Sequence, residues 1–113
     1  MARFTTIAEV IASYADRFMP EAAAGVEGVV QLSLTGDGAA EYQLLIGDGQ
    51  LRILEGVHET PTVTVTTSAE DWLKVNNREE DPMGLVMRGR IKVKGSLPMA
   101  AKFQSLFRRG DMY

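Results

Sequence analysis

The chain has 113 residues, 45 % of them apolar and 24 % charged, with a net charge of −3. That is the length of one domain, with enough apolar content for a core, and it argues against disorder. The absence of cysteine excludes disulfides, thiolate catalysis and cysteine-ligated metals, and no apolar run approaches the roughly 20 residues that a membrane-spanning helix needs. Thr6 and Glu9 have capping-box spacing, and Ile7, Val10, Ile11, Tyr14 and Phe18 follow at helical spacing until Pro20. This predicts an amphipathic helix from about Thr6 to Met19, with an extra turn over Glu21–Ala24 stopped by Gly25.

In Gly28–Thr35, Val30, Leu32 and Leu34 alternate with Gln31, Ser33 and Thr35, which reads as a strand with one apolar face. Gly36-Asp37-Gly38 is a turn into a second alternating run with Tyr42, Leu44 and Ile46. Gly47-Asp48-Gly49 tolerates the positive φ of a tight hairpin, and Leu51 and Ile53 carry the return strand. After a loop from Glu55-Gly56 to Thr60-Pro61, Thr62–Thr66 alternates valine and threonine as a fourth strand. Four antiparallel neighbours joined by short loops are the simplest arrangement.

Ser68 or Thr67 can cap a short helix carrying Glu70, Asp71, Trp72, Leu73 and Val75. Asp81-Pro82 starts another, apolar on most sides through Met83, Leu85, Val86 and Met87, and ended by Gly89. Arg90–Lys94 alternates cation and aliphatic as a fifth strand with a basic face. Ser96 caps a final helix with Met99, Phe103, Leu106 and Phe107 on one face, Arg108 and Arg109 at its negative end, and Gly110 as its stop.

Charge is divided unevenly. Residues 1–87 hold five basic and fourteen acidic side chains, whereas residues 88–113 hold seven basic and one acidic. The basic run Arg88, Arg90, Lys92, Lys94, Lys102, Arg108 and Arg109 therefore suits an anionic headgroup or membrane surface; an exposed strand face with helix-end charges is the plainer account. Nucleic acid is not expected, because the overall charge is negative and no aromatics interleave with the cations. Four of six methionines, Met83, Met87, Met99 and Met112, fall in the last 31 residues. Such unbranched thioethers repack around ligands of varied shape, though at helical spacing they also fill ordinary cores.

Residues for chemistry are sparse. The single histidine, His58, sits in a loop with Glu55 and Glu59 near it in sequence; a catalytic base needs an orienting carboxylate and a nucleophile held nearby, and side chains in such a loop are mostly solvated. Asp37 and Asp48 are explained by their turns, and Glu79-Glu80-Asp81 lacks calcium-loop spacing. No enzyme activity, cofactor or metal is expected.

The order of these elements resembles the sterol carrier protein 2 (SCP-2) family. The resemblance is carried by Tyr42–Ile46 followed by Asp48-Gly49, by Pro61–Val65 leading into Ser68–Trp72, by Asp81-Pro82, and above all by Gly89-Arg90-Ile91-Lys92-Val93-Lys94-Gly95 before the final helix. It covers the chain from the first helix to Phe107; where the family often has an acid, Ser96 follows the second glycine. The resemblance implies an α+β fold, a five-stranded, largely antiparallel mixed sheet with helices on one face. It also implies an apolar tunnel that takes a fatty acid, acyl-coenzyme A, a sterol or an isoprenoid lipid. Expected walls are Leu44, Ile46, Trp72, Leu85, Met87, Ile91, Met99, Phe103 and Leu106. A bacterial-type, stand-alone cytoplasmic carrier is the leading expectation, since neither a secretion signal nor a peroxisomal address is visible. The alternative is an accessory subunit presenting a lipid or quinone precursor to a partner enzyme, and a homodimer is compatible with either.

Overall fold

The computed structural model of the protein describes residues 3–107. Helix α1 (Ile7–Arg17) is started by the reciprocal Thr6–Glu9 capping box. Strands β1 (Gly28–Thr35), β2 (Ala40–Gly47) and β3 (Gln50–Glu55) form an antiparallel meander. Asp48 and Gly49 both have positive φ (54° and 70°), as a two-residue turn matched to strand twist requires. Strand β4 (Val63–Ser68) runs straight into α2 (Ala69–Asn76), whose N-cap is Ser68; α3 (Pro82–Met87), β5 (Lys92–Gly95) and α4 (Leu97–Ser105) follow.

The sheet order is β3-β2-β1-β4-β5, and this departs from four antiparallel neighbours. Strand β4 does not lie beside β3. It crosses to the far side of β1 and pairs with it in parallel, Val30 opposite Val63 and Leu32 opposite Val65. Strand β1 is the most buried of the set, and this placement covers both its edges, leaving the half-exposed β3 at one edge of the sheet and β5 at the other. The fifth strand is shorter than Arg90–Lys94: Arg90 and Ile91 instead close the turn after α3, their amides donating to Leu85 O at 2.9 and 3.3 Å. Strand β5 ends at Gly95, with φ 108°, where a Cβ would stand 2.6 Å from the Thr62 carbonyl oxygen; only glycine fits there.

Pleating puts Val30, Leu32, Leu34, Leu44, Ile46, Val63, Val65 and Val93 on one face, and helices α2 and α4 pack on it over β1, β4 and β5. Helix α1 lies against α2. Trp72 Nε1 donates to the Tyr14 hydroxyl at 3.0 Å, and Arg17 Nη2 donates to Asn76 Oδ1 at 3.0 Å. Asn77 accepts from Phe4 N and donates to Phe4 O, both at 2.8 Å, tying the start of the chain to the end of α2. Helix α4 is tied to α1 through rings: Phe107 lies 4.8 Å from Tyr14 and 5.2 Å from Phe103, centroid to centroid.

Candidate functional site

Of the nine residues expected to wall an apolar site, eight are buried in one continuous hydrophobic cluster: Leu44, Ile46, Trp72, Leu85, Ile91, Met99, Phe103 and Leu106. They come from five parts of the chain. Leu44 and Ile46 project from β2, Trp72 from α2, Leu85 from α3, Met99 and Phe103 from α4, and Leu106 caps it. Met99 reaches the start of β1 at Gly28, whose cross-strand partner is Ile46. One expected wall residue is not there. Met87 is 82 % exposed, because α3 is anchored by Leu85 and turns Met87 the other way. Residues 83, 86 and 87 lie three and four apart, so they share one outward stripe, and α3 is apolar on its solvent side as well as its core side. Met112 lies outside the described residues.

The helical layer is uneven over the sheet. Among the described residues no helix packs broadly across β2 or β3. The inward side chains at that end, Tyr42, Leu51 and Ile53, are accordingly only half-buried, although they sit on the same face as the sealed Leu44 and Ile46.

The basic run does not stand free of acids in space. Arg90 makes a two-pronged ion pair with the buried Asp71, Nε to Oδ2 at 3.0 Å and Nη2 to Oδ1 at 2.7 Å, and Arg88 pairs with Glu80 at 2.9 Å. Lys92 and Lys94 are exposed on the outer sheet face opposite Thr66 and Thr64, and Lys102 is exposed on α4. Arg108 and Arg109 lie outside the described residues. An open cleft of about 510 Å³ lies between the end of β4 and the start of β5, lined by Thr35, Thr66, Thr67, Ser68, Glu70, Asp71, Arg90 and Lys92. Its lining residues are hydroxyl-bearing or charged, and its two carboxylates match its two cations.

Sequence alternation misses a polar network on the outer face. Gln31 is 2 % exposed there. Its amide nitrogen donates to Glu41 Oε1 and Gly56 O, both at 3.0 Å, and its oxygen accepts from His58 N at 2.8 Å. Ser33 donates to the other Glu41 oxygen at 2.6 Å. The loop after β3 is thereby latched onto the sheet, and His58 Nδ1 accepts from Thr60 N at 3.0 Å within that loop. No helix of the described residues is long and apolar enough to cross a membrane.

Comparison with known proteins agrees with this geometry. Human stomatin-like protein 1 is 38 % identical over 68 residues, which is 59 % of this chain and 17 % of that protein. The inverting sec-alkylsulfatase Pisa1 from a Pseudomonas species superposes with a TM-score of 0.76 at 19 % identity, covering 88 % of this chain and 16 % of that one. The chain thus spans about a sixth of the length of these two relatives. Sterol carrier protein 2 like 2 from Aedes aegypti is closer in size, with a TM-score of 0.74 at 27 % identity over 89 % of this chain and 93 % of its own. UbiJ-SCP2, a ubiquinone synthesis protein, gives 0.67 at 19 % identity over 88 % of each chain. The model of the SCP-2 sterol transfer family matches residues 7–108. With its five-stranded mixed sheet roofed on one face by helices, the chain belongs to the SCP-2 sterol transfer family, whose common property is lipid binding and transfer.

Proposed function

We propose that this protein is a non-catalytic carrier that takes the hydrocarbon portion of a fatty acid, acyl-coenzyme A, sterol or isoprenoid lipid into the space between sheet and helices. The observation that carries the reading is the incomplete roof. Helices seal β1, β4 and β5, while Tyr42, Leu51 and Ile53 at the β2–β3 end stay half-buried beside the sealed cluster. A chain entering there would lie against Leu44 and Ile46 and reach Met99, Phe103 and Leu106, with Trp72, Leu85 and Ile91 behind them.

Magnitudes favour an occupied site. Burying roughly 300 Å² of lipid chain contributes about 7 kcal/mol before association costs. A rigid empty apolar cavity of about 500 Å³ would cost on the order of 10 kcal/mol, which rivals the whole stability of a small domain. Protein isolated from cells is therefore expected to carry lipid, visible by mass spectrometry of a denatured extract. A fluorescent fatty acid should bind at one site per chain. Ile53→Asp and Phe103→Asp should weaken it at least about tenfold, since each places a carboxylate on the apolar face. Leu54→Asp, on the opposite face of β3, should leave it unchanged. Equal binding in all three variants would end the pocket reading.

A second reading draws on the likeness to UbiJ-SCP2 and to part of Pisa1. In it the chain presents a lipid or quinone precursor to a partner enzyme. Poor binding of free fatty acid by a protein that co-purifies with an enzyme would favour it.

A further inference from the structure

Two polar side chains stand at the open end of the inward sheet face, and the fold leaves both unused. Cross-strand partners share a face, so the inward row of Ile46 opposite Leu51 and Leu44 opposite Ile53 runs on into Tyr42 opposite Glu55. The Tyr42 ring is half-buried against the apolar cluster, and Glu55 is exposed. Among the described residues neither the Tyr42 hydroxyl nor the Glu55 carboxylate has a hydrogen-bond or ion-pair partner. The hairpin end of the same two strands is better covered. There a Cβ on Gly49 would stand 4.0 Å from Pro20 O and one on Gly47 4.0 Å from Glu27 Cγ, and Ala23 of the same segment is fully buried.

Charge on this part of the sheet is one-sided. Among the residues of β1, β2 and β3 the single cation is Arg52, and it alternates to the outer face opposite Leu45. Helix α4, which carries Lys102, packs over β1, β4 and β5. An anionic head at the Tyr42 end therefore meets a carboxylate and no cation from the strands beneath it.

We propose that Tyr42 and Glu55 read the head of the bound lipid, selecting one that donates a hydrogen bond and carries no negative charge, a hydroxyl or an ammonium, over a carboxylate. This rests on the carrier reading and gives its pocket a polar end. The tail then lies along β2 from Tyr42 to Ile46, roughly 13 Å at the rise of a strand. Beyond Ile46 it meets Met99, which reaches Gly28 across from Ile46. At the head, an alcohol accepts from the Tyr42 hydroxyl and donates to the Glu55 carboxylate, and an ammonium donates to Glu55. A carboxylate only accepts. It can use the tyrosine proton but is set beside a like charge. A site built to bond a donor rejects a head that lacks one more strongly than it rejects a change of tail length. An inward charge at the end of an edge strand also guards against strand addition. That role depends neither on the sign of the charge nor on Tyr42, and it leaves head preference flat.

The test is displacement of an uncharged naphthalene dye by dodecanol, dodecylamine and dodecanoate at neutral pH, each below its micelle threshold. The three share one tail, so the ratio of their affinities isolates the head and is insensitive to a general loosening of the pocket. The native protein should bind the alcohol and the amine at least about tenfold more tightly than the carboxylate. Glu55→Gln keeps an acceptor and removes the charge. It should strengthen dodecanoate about tenfold, weaken dodecylamine by a similar factor and leave dodecanol nearly unchanged. Tyr42→Phe should weaken dodecanol about fivefold and leave the amine, which needs no donor from the protein, nearly unchanged. If the alcohol leads in the native protein the natural head is a hydroxyl, and if the amine leads it is an ammonium; either upholds the assignment. Equal affinities for all three heads, or a head preference that survives Glu55→Gln unaltered, overturn it, while displacement of the dye still upholds the pocket. If the dye does not bind, or none of the three displaces it, the pocket fails and the head assignment fails with it.

Discussion

Helices α2 and α3 are close in length, follow one another in the chain, and begin the same way. Ser68 accepts the Asp71 amide at 3.0 Å and Asp81 accepts the Gly84 amide at 2.9 Å. What holds them afterwards differs. Helix α2 buries Ala69, Asp71, Trp72 and Asn76, and its polar atoms reach across the fold to Tyr14, Arg17 and Arg90. Helix α3 buries one leucine. A side-chain cap starts a helix, but long-range contacts decide whether it is fixed in place, because isolated helices this short are marginal in water. The pair divides the roof of the apolar cluster into a clamped half and a lightly attached half. Movement within the helical layer is easiest in the second.

The largest test removes the only deep contact of α3. Leu85→Ala should cost about 2–5 kcal/mol in urea unfolding, as for other fully buried leucines. Beyond that global loss, amides of 82–87 should exchange far faster while those of 69–76 keep their protection relative to the rest of the protein. Equal loss in both helices would mean that α3 is held as firmly as α2. A smaller test weakens the clamped half. Tyr14→Phe leaves the buried Trp72 indole N–H without its acceptor, a loss of about 1–3 kcal/mol. It should loosen α1 and α2 and leave α3 exchange where it was.

Much of this division was readable from residues, and the exceptions have physical causes. Thr6, Ser68, Asp81 and Ser96 all cap the helices expected of them, because a cap needs only a side chain and the next three residues. The parallel pairing of β4 with β1 was not readable. Alternation tells which face of a strand is buried but not which strand lies alongside. Asp71 looked like an acid placed for a helix dipole; it is instead the buried half of an ion pair whose partner is nineteen residues on. Gln31 sits on the polar beat of its strand and is buried all the same, since the loop carrying His58 folds over it. Most of the proposed wall was legible because the apolar face of each element is a local property. Met87 was not, because a six-residue helix that is apolar all round carries no periodicity to say which side faces in.

The smallest effect concerns the start of α1 and is read by pH. Glu9 is exposed, and its Oε1 accepts from Thr5 N at 2.7 Å, Thr5 Oγ1 at 2.8 Å and Thr6 N at 3.1 Å. These bonds, the Thr5 backbone donor foremost, hold its carboxyl below the ordinary value of 4.5. The fold therefore favours the carboxylate. The stabilisation is complete above the unfolded value and is lost as pH falls through the lower folded value. A carbon-detected titration should give Glu9 a midpoint below 4.5, with the Thr5 and Thr6 amides moving in the same window. Glu9→Gln keeps an acceptor but removes the charge, so those amides should then stop responding. Because Tyr14 and Arg17 hold the body of α1 roughly one and a half to two turns away, protonation should fray the first turn without releasing the helix from α2. A midpoint at or above 4.5 would mean that the capping carboxylate is not engaged in solution. Loss of α1–α2 contacts in the same pH window would mean that the clamp is weaker than its hydrogen bonds imply.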